Sequence, residues 1–343
     1  MPAATAAAGA ASGGPQWVQE NEVTFQSGGT SRFEDPLVAE FYPEGLSPGD
    51  RGSIDMYDVV NERDGMFYAP ENEPLDTPGY QAPDYDHPDV SVGVDKRRAI
   101  RLDAGTGRVW NLGVDEPAGT PVWSTDQLGS HRTTLGVKAP HGAKTLAVDP
   151  VHHVLVTGGS DFLAFLAYEG TARRTAQVAV PGDGPLAVDP AAGRVYLLDT
   201  SAEPARLRVF DTATGAEQHA LVLPAGAGKA WTIRWDAAAG NVLVPTGGRL
   251  IVVHAADGTT RSVALGPHAD SVDIDRDSHR AFVGGFGNTL YQVDLNTFTL
   301  EHQYPLKHQS PHVFVNQRTH DVWTVGTYAA GDNGGIIGLV KKP

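Results

Sequence analysis

The sequence predicts an all-β fold: a seven-bladed β-propeller, with six blades as the alternative, its ring closed by an N-terminal strand. Three observations carry this reading. A pair of short apolar strands around a polar turn is copied five times after Ala143. The residues that anchor those turns recur at about the length of one propeller blade. The strands read as alternating, and no segment shows helical spacing.

The copies are KTLAVDPVHHVLVTGG, GPLAVDPAAGRVYLLDT, WTIRWDAAAGNVLVPTGG, DSVDIDRDSHRAFVGGF and HVFVNQRTHDVWTVGT. Their anchors are Asp149, Asp189, Asp236, Asp275 and Asn316, which lie 40, 47, 39 and 41 residues apart. In each, a first strand ends on the anchor and a second, rich in Val and aromatics, ends on Gly or Thr. Two further strands complete a blade, as in RLRVFDTATGAEQHALVLP and LYQVDLNTFTLEHQYPL. Asp and Thr satisfy backbone donors in the turn between them, and Gly supplies a positive φ where the chain reverses. Upstream, AIRLDAGTGRVWNLG is anchored on Asp103 and SIDMYDVVNERDGMFYAPEN near Asp58. Separations of 45 and 46 residues fit the period and bring the count to seven. If the Asp103 pair instead ends an earlier blade, the count is six.

The last repeat stops after a third strand, GGIIGLVKKP, so WVQENEVTF is expected to fill the fourth place and cover the edge. Residues 1–15 read as a flexible leader or the stub of a trimmed export signal, and residues 16–343 as one propeller domain. An acidic, Pro-rich insertion at about 70–90 is too polar for a blade strand and is expected to fold over one face.

Composition narrows the function. A net charge of −15 argues against a nucleic-acid or anionic-membrane surface, which needs clustered Lys and Arg. No apolar run is long enough to span a membrane. Without Cys, thiolate and Cys–metal chemistry are excluded. Forty glycines and 24 prolines fall between apolar runs as turn punctuation. GGFGN precedes no helix, and no phosphate-cradling, nucleophile-elbow or His-Glu-x-x-His motif occurs, so no nucleotide or flavin is expected. The expectation is a monomer with a small-molecule ligand, secreted or periplasmic, with the cytoplasm as the alternative.

LAVDPAAGRVYLLDTSAEPARLRVFDTATGAEQHALVLP resembles the YVTN-type propeller repeat, closely over residues 140–343 and loosely over 50–140. Streptogramin B lyase and gluconolactonase-type lactonases are more distant look-alikes. In a propeller, the loop that enters each innermost strand opens on one face of a central channel. His141, His268 and His312, each preceded by or close after a Pro, stand ahead of such strands and are expected to rim that mouth. Three imidazoles there suit Zn²⁺ or another divalent ion; the lyase resemblance implies Mg²⁺, and Ca²⁺ is the remaining metal alternative. Direct substrate contact or acid–base work suits them better than a metal. The lyase resemblance implies roles for His268 and His312. It implies a Glu that this chain lacks, for which Asp332 is the nearest carboxylate and Tyr328 the nearest hydroxyl.

Trp231, Lys229, Lys144 and Arg249, with Glu71, Asp199 and Asn288, are placed at the same mouth. Glu71 follows a strand end at which lactonase-type propellers often carry a metal carboxylate. The run at Asp84, Asp86 and Asp89 reads as a solvated loop ahead of a Ca²⁺ site. His152, His153, His279 and His320 fall in first-to-second-strand turns at the opposite end and read as solvated. The expected function is a small-molecule enzyme of lyase, isomerase or hydrolase type. The alternative is a non-catalytic propeller that binds a peptide, glycan or protein.

Overall fold

The computed structural model describes residues 18–26, 31–33, 52–54, 59–60, 67–68, 100–103, 106, 108–112, 116–125, 133–285, 287–306, 312–315, 320, 322–327 and 334–341. The leader at 1–15 and the insertion at about 70–90 lie outside them. Among the described residues every regular element is a strand, and no helix is long and apolar enough to cross a membrane.

The strands form six four-stranded antiparallel sheets, here A to F in chain order, and two short two-stranded ribbons before residue 100. Sheet A runs from Ile100–Asp103 to Thr133–Thr134, sheet B from Thr145–Asp149 to Arg173–Ala179, and sheet C from Leu186–Asp189 to Glu217–Val222. Sheet D runs from Arg234–Asp236 to Thr260–Ala264 and sheet E from Ser271–Asp275 to Thr299–Pro305. Sheet F holds His312–Val315, Val322–Thr327 and Gly334–Lys341, and its fourth strand is Val18–Gln26, paired antiparallel from Val18 opposite Lys341 to Gln26 opposite Gly334.

Alternation of side chains explains the stacking of sheets. On the second strand of sheet C, Val195 and Leu197 point into a core shared with Val156, Leu163 and Phe165 of sheet B. Tyr196 and Leu198 point the other way, into a core with Val242, Val244 and Ile251 of sheet D. Leu243, between those valines, faces Val272 and Val283 of sheet E. A period of two therefore divides one strand between two cores. Fourth strands are different: Arg173–Ala179 and Glu217–Val222 are largely exposed. First strands of successive sheets pack side by side.

The repeated turn carboxylates join sheet to sheet. Asp149 is buried and accepts from the amides of Val151 and His152, at 3.1 and 3.0 Å. Its second oxygen accepts from the Thr212 hydroxyl of sheet C at 2.7 Å. Asp103 likewise accepts from Tyr168 of sheet B (2.8 Å). Two turn histidines expected to be solvated complete the series. His279 of sheet E donates Nε2 to Asp236 of sheet D (3.0 and 3.1 Å), and His320 places Nδ1 3.0 Å from Asp275 of sheet E. These histidines sit at φ of 54° and 63°, at the turn position that Gly193 and Gly240 occupy at 60° and 67°. The sequence reading missed this because the bond crosses to another repeat.

His279 carries acceptors on both ring nitrogens, with the Asn296 side-chain oxygen 2.8 Å from Nδ1. Burial alone would lower its pKa. The bonds to Asn296 and Asp236, and the charges of Asp236 and Asp294, outweigh this and hold the pKa above its ordinary value. The cation is thus favoured by folding. Its stabilisation is full below the unfolded pKa of about 6.5 and is lost as pH rises through the raised native value. Thermal unfolding should show His279→Gly destabilised at pH 6 by about 1–3 kcal/mol, because a buried carboxylate loses its donor. The difference from the parent should shrink towards pH 9; an unchanged difference would refute a cationic His279.

Candidate functional site

At the sheet ends where first strands begin, the connecting loops are tied down by backbone bonds. Gly182 N donates to Gly159 O (2.8 Å), and Thr145 Oγ1 donates to Gly182 O (3.2 Å). The loop into sheet D is held twice, by Gly228 N to Thr246 Oγ1 (2.7 Å) and by Arg249 Nη2 to Ala225 O (2.6 Å). Its far end is fixed when Trp231 N donates to Asp270 O at 2.6 Å, while Asp270 N donates to Gly284 O at 2.8 Å. Each loop is rigid because its backbone groups are spent on neighbouring strands.

Between these loops lies a pocket of about 480 Å³. Sheet C supplies Asp183, Gly184 and Pro185 from the loop before its first strand, and Leu198 and Thr200 from the end of its second. Sheet D supplies Lys229, Ala230 and Trp231, and the loop into sheet E supplies Asp270. Lys229 and Asp183 are exposed; Trp231, Thr200 and Asp270 are half-buried. The pocket thus joins an indole and apolar side chains to one ammonium and two carboxylates. Such a lining can hold a small polar molecule by its face and its charges together.

Two of the residues selected from sequence, Lys229 and Trp231, line this pocket. Arg249 is half-buried and anchors the loop that carries them. Among the lining residues described, none is a histidine. His141 is exposed, with Nδ1 3.0 Å from the Glu116 carbonyl and the Lys138–Glu116 ion pair beside it. His268 is exposed in a turn at φ 64°. His312 is the first residue of sheet F's first strand, opposite Val325.

The three histidines do not share a register. His312 stands four residues ahead of its anchor, as Thr145, Pro185, Thr232 and Ser271 do; His268 stands seven ahead and His141 eight. Among the described residues, no three His, Asp or Glu side chains are gathered so as to hold a metal ion. The His312 side chain, Tyr328, Asp332 and Glu71 lie outside the described residues. Of the further residues placed at this end, Lys144 is exposed, and Asp199 is occupied by Ser201 and by Arg208.

Asp183, Asp270 and Thr200 were missed. Asp183 sits in PGDGP, which reads as a turn, and Asp270 follows His268 closely enough to be overshadowed. A usable signal exists: Gly184, Trp231 and Asp270 each stand five residues ahead of their anchors, so counting back along these repeats marks equivalent positions on successive sheets.

No protein-family model matches this chain, and no curated protein matches it significantly.

Gly285 shows how tightly the pocket's third wall is built. A Cβ there would lie 1.5 Å from the His268 carbonyl oxygen and 3.0 Å from Asp270 N. Gly285→Ala should therefore push the Gly266–Asp270 turn outwards and destabilise the fold by about 1–3 kcal/mol. Denaturant unfolding checks this, and a variant as stable as the parent would contradict the packing.

Proposed function

We propose that the sheets are blades of a seven-bladed β-propeller and that the pocket bounded by Asp183, Lys229, Trp231 and Asp270 is its small-molecule site. Support for the ring comes from the side-by-side first strands and from Val18–Gln26 serving as the outermost strand of the last sheet. Residues 27–99 fall between sheets F and A in the circular order, longer than one repeat of about 40. The pocket then lies at the mouth of the channel, where loops entering innermost strands converge.

One observation carries the functional reading: loops of three successive sheets bring an indole, an ammonium and two carboxylates to a single cavity of about 480 Å³. Pockets of roughly 300–1,000 Å³ with a few convergent polar groups are the usual form of small-molecule sites. The lining supports recognition of a polar ligand as the primary act. Lyase, isomerase or hydrolase chemistry on that ligand would occur in the same pocket.

The test is ligand-observed NMR with a library of polar small molecules, against the parent and Trp231→Ala. Hits should weaken by about tenfold or more when the indole's contact area is removed, and product signals would reveal turnover. Hits that bind the variant and the parent equally would overturn the assignment.

A further inference from the structure

Of the three charged residues that line the pocket, Asp270 has interactions of its own, while Lys229 and Asp183, of opposite charge, do not meet. Lys229, from the loop into sheet D, makes no ion pair or hydrogen bond among the described residues, and neither does Asp183, from the loop into sheet C. Elsewhere on the described surface, several charges of opposite sign do pair. Lys138 meets Glu116, Arg208 meets Glu217 at 2.6 Å, and Arg280 meets Glu301 at 2.7 Å. In the pocket, Trp231 follows Lys229 by two residues on the same loop and adds an aromatic wall.

We propose that the ligand is a small zwitterion of the amino-acid class, a free α-amino acid or a dipeptide. Its ammonium is held by Asp183 against the Trp231 face, and its carboxylate by Lys229. This rests on the pocket being the ligand site. The reason is complementarity of charge. A ligand with one charge leaves either Asp183 or Lys229 without an ionic partner in the pocket, and a neutral polyol leaves both so. A zwitterion makes a charge-assisted bond to each. The indole adds cation–π attraction for an ammonium, and with Pro185 and Leu198 it gives the ligand's apolar portion a wall.

The experiment is isothermal titration of the full chain with the twenty common amino acids and a set of dipeptides. The best binder is then re-measured in N-acetylated and C-amidated forms. In the parent, each blocked form should bind about tenfold or more weakly. Asp183→Asn should abolish discrimination against the acetylated form alone, and Lys229→Met against the amidated form alone. Both side chains are exposed, so unchanged melting curves are expected for both variants.

The inference falls if no amino acid or dipeptide binds, if blocked forms bind equally well, or if either variant leaves its discrimination intact. Neutral sugars and polyols titrated in parallel separate this from the wider reading. Their binding in a Trp231-dependent way, with no zwitterion bound, would keep the pocket as a site and sink the zwitterion. If no compound in either set responds to Trp231→Ala, both readings fall.

Discussion

A carboxylate buried where two sheets meet is the interaction from which the rest of the architecture follows. Asp149 is fully buried, and a buried carboxylate is tolerable only if every direction around it offers a donor. Two amides of its own turn supply some of these donors, and the Thr212 hydroxyl of the next sheet supplies another. One group therefore closes a turn and fixes the neighbour's position. Asp103, Asp236 and Asp275 repeat the device with Tyr168, His279 and His320 as donors. The donor changes from hydroxyl to phenol to imidazole because the acceptor needs only an N–H or O–H in the right place.

The device lapses between sheets C and D. Opposite Asp189 the corresponding residues of sheet D are Gly240 and Ala255, neither of which has a side-chain donor. That junction is held instead by the apolar core and by Tyr196 stacked on Trp235, with centroids 5.4 Å apart and planes 13° apart. On the far side of sheet D, Arg234 of its first strand pairs with Asp273 of sheet E at 2.8 Å, and Asp273 also accepts from Val315 N of sheet F. The pocket opens at the ends of sheets C, D and E. With the links of the anchor carboxylates Asp149, Asp103, Asp236 and Asp275 at the opposite ends, the loops at this end carry other side chains without disturbing them.

Much of the strand pattern was legible, for local reasons. The Asp-Thr-x-Thr-Gly turn at Asp211 is built as its residues imply: Thr214 donates backbone and hydroxyl to Asp211, each at 2.8 Å, and Gly215 adopts φ 71°. Pairing of Val18–Gln26 with the last strand could be inferred because a sheet lacking its fourth strand leaves an edge uncovered. The candidate site was only half legible. Trp231 and Lys229 were visible as unusual residues ahead of the first strand of a sheet, but Asp183 was disguised by the glycines around it. The Pro-His pairs, similar as text, fall at different distances from their anchors: His312 begins a strand, whereas His141 and His268 sit in turns before one.

The sequence alone determined the class of fold, the strand alternation and the turn chemistry, because each depends on residues within one repeat. Only the tertiary structure decided which turn histidines are bridges and which loop residues share a cavity. Those outcomes depend on groups some forty residues apart meeting across a sheet boundary, as His279 meets Asp236. A linear string of residues does not encode that distance. It is set by how far each sheet is rotated and shifted when its two faces find their neighbours.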